Sequence, residues 1–478
     1  MCKSCVCVVL AAALAMTPAA VFGNVYASRL EQTGPDSLSY ILNEDATVGV
    51  TAQVWEVGGG MVYSENLGNL TKGTQSWTWN GTGRESGKQY TVKIVASATG
   101  YGDWTKTSVN NTQTNMYSPR GVDVNKNPAG KYFGRIYMAE SVGGTTLAGR
   151  AVQDGVYMLN ADGTDADGQG NTSRKGGATF GGTNSPFRLT VGPDNKVYLT
   201  DWSDSNSQLV VGDPDFNTAR SVLDDSGRVA SGKAANHGSI PTVHVEGSGA
   251  NVTVYTMDED FDVGADPAHG GIGSILKYEV DIDSVMAGNP HTGQPSIFYD
   301  DGAQGALKGN IMNYYDDMAR GLDGTWWVSQ DRSGSSTDTL ASLMQVSADG
   351  TTVLWKSVPD GAANSLADPV RRTRGLAVDP VTGMLALATY NAGKVHIFDP
   401  TTKSIVTSIT IASNATNRDV AWDAAGNLYI VDNNTEYLYV YSPGGANGFT
   451  TESWFTIPEP GMTLFLGLGA VLALRRRR

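Results

Sequence analysis

Two series of polar residues recur along this chain with types and spacing that could do chemistry together. Arg120, Arg188, Arg320, Arg374 and Arg418 each open a short apolar run, and Glu140, Asp201, Asp258, Gln330, Tyr390 and Asp432 each fall three residues after Tyr137, Tyr198, Tyr255, Trp327, Leu387 and Tyr429. Guanidinium and carboxylate groups gathered in one ring would line a channel and bind a charged ligand. Glu140, Asp201, Asp258 and Asp432 would supply the oxygen ligands that a divalent metal such as Ca2+ takes. The competing reading is structural, since a polar side chain where a strand ends satisfies backbone groups cut off from water. Recurrence in nearly every unit favours the structural reading, because a site usually breaks the symmetry of a repeat.

Other candidate chemistry is sparse. Asp162, Asp165 and Asp167 lie in NADGTDADGQGN, and Asp258, Asp260, Asp262 and Asp266 in DEDFDVGAD. Neither loop has the spacing or the closing glutamate of an EF-hand, so they read as solvated loops with Ca2+ as the cofactor they would suit. The histidines (His237, His244, His269, His291 and His396) form no close pair, there is no G-x-S-x-G elbow, and no cysteine follows Cys7. The chain therefore reads as non-enzymatic, although loops distant in sequence can still assemble a catalytic site.

The elements that must position these residues are repeated β-units. The clearest copies are RGLAVDPVTGMLALATYNAGKVHIFDPTTKS from Arg374 and RDVAWDAAGNLYIVDNNTEYLYVYSPGG from Arg418; earlier ones start at Arg120, Arg188, Thr242 and Arg320. The starts are 68, 54, 78, 54 and 44 residues apart, against about 40–50 for an ordinary propeller repeat, so the longer intervals carry inserted loops. A small sheet cannot bury both faces alone, and radial stacking covers them. Residues 118–457 are thus expected to form a six-bladed β-propeller, with room for a seventh blade in the 78-residue interval. Copies such as GNLYIVDNN resemble the NHL/SMP-30-type propeller superfamily. Lactonases of similar fold hold a divalent cation at the channel, and the resemblance implies a propeller hydrolase as the alternative to a binding protein.

Residues 37–103 precede the repeats. Alternation puts Val48, Val50, Ala52 and Val54 on one face, then Trp77 and Trp79, then Tyr90, Val92, Ile94 and Ala96. Gly58 to Gly60 and Asn80-Gly81 supply turns, giving a small β-sandwich. GTQSWTWNGT and YTVKIVAS resemble the Ig-like domain of the flagellar hook-capping protein FlgD, with Asn80 where that family often has Asp. The resemblance implies a spacer or docking module. Trp55, Trp77, Trp79 and Trp104 are read as core rather than as sugar-stacking platforms. Residues 104–117 read as a polar linker.

The two ends carry address information. Residues 1–27 have Lys3, an apolar stretch over 6–16 and small residues before cut sites after Gly23 or Ala27, the pattern of a secretory signal peptide. All 3 cysteines fall within it, so the exported body has no disulfide. At the other end, Pro458, Glu459 and Pro460 precede an apolar run over 462–474 and Arg475, Arg476, Arg477 and Arg478. That run is short of the ~20 residues of a full span, and a basic cluster behind it acts as a cytoplasmic stop. Triplet, run and arginines resemble a PEP-CTERM sorting signal, which implies a C-terminal transmembrane sorting helix and an exosortase-type membrane protease as partner. A formal charge of −14 argues against nucleic acid. With 58 glycines and 17% charged residues, the composition suits an all-β exported protein of the cell surface or extracellular matrix, with polysaccharide or envelope components as ligands.

Overall fold

The computed structural model describes residues 24–457 except 129, 204, 230–233, 259–260, 262–273, 301–314, 331–340, 359–367, 391–392 and 454. Residues 1–23 of the expected signal peptide (1–27), the expected sorting triplet and the expected arginine stop (within 458–478) lie outside the described residues, as do Asp260, Asp262, Asp266 and His269. Among the described residues no helix is long and apolar enough to cross a membrane.

A β-sandwich stands first. One sheet has the order Ala27–Gln32, Ser37–Leu42, Gly73–Thr78, and the other Gly445–Glu452, Tyr90–Tyr101, Ala46–Glu56, Met61–Leu70. Alternating residues of both sheets, among them Leu38, Tyr40, Val50, Ala52, Val54, Val92 and Ile94, fill the space between them. Trp77 and Trp79 are core, as the alternation predicts, and Trp79 meets Tyr90 edge-on with ring centroids 5.0 Å apart. Trp55 instead faces outward beneath Lys93 Nζ, 4.6 Å from its ring. Trp104 packs against Trp422, 5.7 Å away in the last blade.

Val48 departs from expectation. It is 59% exposed, while Val50, Ala52 and Val54 are buried. Pairing shifts register between Ala46 and Val50, and Gly49 takes φ +133°. Four steps of this strand there face two of its partner, so Val48 leaves the alternation while Ala46 before it stays buried.

Six antiparallel sheets follow. Their innermost strands are Pro119–Val124, Leu189–Val191, Val243–Ser248, Tyr315–Arg320, Thr373–Val378 and Asn417–Trp422. Each innermost strand touches the next, and the sixth touches the first, so the sheets close into a propeller-type ring. Second strands such as Val197–Asp201 and Leu428–Asp432 are buried throughout. Both their faces are covered by neighbouring blades. Besides the sandwich and the six blades, the only further sheet among the described residues is the two-stranded ribbon Gly144–Thr145 with Ala151–Val152; the long third interval contains two ordinary outer strands, Ser274–Val280 and Ser296–Asp300, and the short helix Ile282–Met286.

The domain edges differ from the sequence reading. The linker is not merely a linker: Thr105–Lys106 pairs with Tyr437–Ser442 as the fourth strand of the sixth blade. Residues 445–457 belong to the sandwich, where Gly445–Glu452 pairs with Tyr90–Tyr101 and Ile457 exchanges backbone hydrogen bonds with Tyr90. Chain segments far apart in sequence thus complete both units, and no local pattern announces such exchanges.

Residues 24–27 are also part of the fold. Val25, Tyr26 and Ala27 are fully buried, and Tyr26 packs on Phe133 with centroids 5.1 Å apart. A chain beginning at Ser28 should therefore be less stable than one beginning at Asn24 by about 3–5 kcal/mol, the cost of deleting one large buried aromatic. Urea unfolding of the two chains measures this, and equal midpoints would contradict it.

Candidate functional site

Strand pairing aligns the six blades and shows that the arginine series is not one ladder. Arg120, Arg374 and Arg418 are equivalent, each the second residue of its innermost strand. Arg188 aligns one position later, with Asp419, opposite the residue before the strand-end acid. Successive strand side chains point to opposite faces, so this one-residue offset turns Arg188 into the channel. Arg320 ends its strand at the opposite rim, where it pairs with Glu246.

The ring position that reaches the axis is occupied by Gly121, Arg188, Thr242, Asp317, Gly375 and Asp419. Arg188 is 3% exposed. Its Nη1 donates to the carbonyls of Arg120 and, at 2.7 Å, Arg418, while Nη2 donates to the carbonyl of Arg374 at 2.7 Å. Three members of the arginine series thus contribute backbone oxygens to the channel, and only Arg188 contributes its side chain. The glycines are needed for room: a Cβ on Gly121 would lie 2.8 Å from Phe187 O, and one on Gly375 would lie 2.6 Å from Asp419 Cα.

Asp419 and Asp317 balance the guanidinium. Asp419 Oδ1 is 3.6 Å from Arg188 Nη1. Asp419 also accepts from Val122 N and Val420 N, both at 2.9 Å, which ties the sixth blade to the first. Asp317 accepts from Thr242 Oγ1, Met318 N and Leu376 N, each at 2.9 Å, tying the fourth blade to the third and fifth. Asp123 does the same between the first and second blades, accepting from Val191 N at 2.8 Å. Burial raises the carboxyl pKa of Asp317 and raises that of Asp419 well above the ordinary value, against the pull of Arg188. These aspartates were not among the sequence candidates; the available signal was an acid inside an apolar run, as in RDVAW.

The acidic series sits at the ends of the second strands, where it caps backbone. Glu140 accepts from Tyr117 N at 2.8 Å and Ser118 N at 2.6 Å. Asp201 accepts from Gly181 N and Ser203 Oγ, Asp258 from Gly238 N and Phe261 N, and Asp432 from Asn434 N, Thr435 N and Thr435 Oγ1. Burial pushes Glu140 up to about 8 and raises Asp201 and Asp432. The member in the fifth blade is Thr389, aligned with Asp432, and not Tyr390. Tyr390 lies next to it under Arg372 and Arg374, 3.6 and 4.3 Å from their Cζ atoms. The structure does not bring Glu140, Asp201, Asp258 and Asp432 together. Among the described residues no three His, Cys, Asp or Glu side chains converge as a metal centre would require.

The first acidic loop is likewise engaged internally. Asp162 accepts from Thr164, Asp165 from Asp167 N and Gly170 N, and Asp167 from Gln169 N and Arg174 Nε. These are Asx-type turns, which aspartate forms without any ion.

On the other side of the Arg188 plug the channel widens into a cavity of about 650 Å3. Its walls are mainly aliphatic, including Val122, Val191, Val245, Leu376 and Ala421. Lys126, His244, Arg320 and Trp422 also line it. Lys126 pairs with Asp123 at 2.5 Å, and Arg320 and His244 share Glu246, whose carboxyl they hold down at about 2. Such a cavity suits a neutral or amphipathic small molecule, and none of the acids proposed for a metal lines it.

No family model and no curated protein matches this chain. Solved structures are similar at low identity. A protein of unknown function from Bacteroides thetaiotaomicron is 11% identical with a TM-score of 0.42, covering 87% of this chain and 98% of that one. A gluconolactonase from Xanthomonas campestris is 15% identical with a TM-score of 0.43, covering 72% and 91%. The WD40 β-propeller domain of Doa1 is 13% identical with a TM-score of 0.38, covering 72% and 97%.

Arg188→Met should destabilise the ring by about 3–5 kcal/mol at pH 7, since it strands two buried carboxylates. Their folded pKa values lie above the ordinary aspartate value of about 3.9, so their favourable contribution is complete below that pH and is lost as pH rises through the raised values. The deficit of the variant should therefore shrink toward acid. Adding Asp419→Asn should recover part of it at pH 7. Chemical denaturation at several pH values measures both, and a pH-independent deficit would contradict the charge-balance account.

Proposed function

We propose that this chain is an exported binding or scaffold protein of the cell surface or extracellular matrix, with the propeller as its binding head and the sandwich as the stalk toward its tail. The observation that carries this reading is the use of the recurring polar groups. Arg188, Asp317, Asp419, Asp123 and the strand-end acids hydrogen-bond the backbone of their own and neighbouring blades. A lactonase-like hydrolase would need several of those carboxylates on one ion, and among the described residues no three of them converge. The ligand class is a polysaccharide or another envelope component, in keeping with the acidic, export-directed sequence.

The anchoring of Ile457 in the sandwich is in keeping with a tethered role. Ile457 is 2% exposed, its N–H donating to Tyr90 O at 2.7 Å and its carbonyl accepting from Tyr90 N at 3.2 Å. Pro458, Glu459 and Pro460 follow at once, so a membrane segment beyond them would hold the sandwich near the bilayer. In this reading an exosortase-type protease grips the triplet and releases the protein, or transfers it.

In cells that carry such a protease, the native chain should lose its tail and leave the inner membrane. Pro458→Ala combined with Pro460→Ala should leave the full-length form there, as fractionation and mass spectrometry would show. Processing of the double variant would exclude the triplet as the signal. One tightly bound divalent ion per chain, found by elemental analysis of the purified protein, would overturn the scaffold reading in favour of the hydrolase.

A further inference from the structure

The sandwich and the sixth blade meet across buried polar side chains, two of them carboxylic acids. Glu44 comes from the sandwich and Asp423 from the blade, and among the described residues neither forms an ion pair. Hydrogen-bond counting locates a proton between them. Asn427 Nδ2 donates to Asn24 O at 3.0 Å and to Asp423 Oδ2 at 2.8 Å, which uses both amide hydrogens. Its Oδ1 therefore faces Ser442 Oγ, 2.8 Å away. An amide oxygen can only accept, and a serine hydroxyl has one proton to give, so that proton points at Asn427. Ser442 Oγ is also hydrogen-bonded to Glu44 Oε1, and the proton of this second bond has to come from Glu44.

The other acid has the opposite pattern. Asp423 accepts from Ala425 N and Asn427 N at 2.9 Å, from Asn427 Nδ2, and from Tyr429 OH at 3.1 Å. Four donors on two oxygens are what a carboxylate takes and what a protonated acid does not. The closed seam thus holds one neutral acid, Glu44, and one ionised acid, Asp423.

We propose that the joint between sandwich and propeller is a proton-operated lock, closed with a proton on Glu44 and loosened when that proton leaves. Losing it removes the donor to Ser442 and places a second negative charge near Asp423 in a largely buried site.

The groups around both acids agree with this. Tyr101 OH donates to Glu44 Oε2 at 2.8 Å, with Asp45 nearby. Lys72 is the cation felt by Glu44, and Lys72, Glu44 and Asp162 border a cavity of about 180 Å3 at the seam. Tyr26 and Tyr429 face Asp423. Burial outweighs Lys72 and pushes Glu44 up to about 7, while it pushes Asp423 to about 6. With the folded value above the ordinary glutamate value of about 4.3, the seam is tightest in acid and weakens as pH rises through neutrality. For one proton, the closed-to-open ratio falls by up to about tenfold per pH unit between the ordinary value and the raised one, and levels off above it.

Hydrogen exchange of the full chain between pH 5.5 and 8.5, corrected for intrinsic rates, tests the lock at the amides of 24–27, 425–429 and 442. The native protein should lose protection there as pH rises toward neutrality, by up to about tenfold per unit, and level off toward the alkaline end, while the blade interiors stay protected. Glu44→Gln keeps the neutral shape, with Nε2 free to donate to Ser442, and should remove the pH dependence. Tyr101→Phe removes a bond that favours the charged form and should move the transition to higher pH. A flat native profile, an unchanged slope in Glu44→Gln, or an unmoved transition in Tyr101→Phe would each overturn the proposal.

Discussion

A ring of blades has a difficult centre. Six strands begin close together around one axis, and their backbone groups face a channel that packing has largely closed to water. Unpaired carbonyls there would each cost about 1–3 kcal/mol. One buried guanidinium answers for three of them, since Arg188 reaches the carbonyls of Arg120, Arg374 and Arg418. Planar and always charged, an arginine offers several donors in fixed directions, which no lysine could match. Asp419 and Asp317 then offset its charge and carry the hydrogen bonding onward to the neighbouring blades. Closure of the propeller depends on this cluster, and the aliphatic cavity below it exists because the cluster seals one end of the channel.

The sandwich depends on the propeller in turn. Its larger sheet is incomplete without Gly445–Glu452, which follows the sixth blade in the chain. The sixth blade takes its outer strand from Thr105–Lys106, directly after the sandwich. The two units therefore share both chain crossings and the polar seam around Glu44 and Asp423. Such a seam differs from an apolar one, because its strength follows proton occupancy as well as area.

Much of the fold was legible in the sequence, for reasons that can be traced to particular residues. Period-two alternation marked Val50, Ala52, Val54, Val92 and Ile94 as one core, and Trp77 and Trp79 fell inside it. The recurring units marked six sheets. Alternation failed at Val48, because a bulge beside Gly49 adds residues without leaving an apolar signature. Alignment by residue type failed in the arginine series: Arg188 lies one position out of step with its fellows and Arg320 sits at the far end of its strand. Tyr390 fell out of the acidic series for the same reason, since Thr389 holds its place.

The sequence by itself determined an all-β chain with two kinds of unit, because strand period and turn residues are local properties written within a few residues. Only the tertiary structure decided which polar residues share a site. Asp317, Asp419 and Arg188 come from three blades, and Glu44 and Asp423 from two units nearly 400 positions apart. A hydrogen bond acts over about 3 Å, and strand register decides within one residue which side chain faces the axis. Neither quantity is encoded in spacing along the chain, so the partners of a buried charge emerge only once the ring has closed.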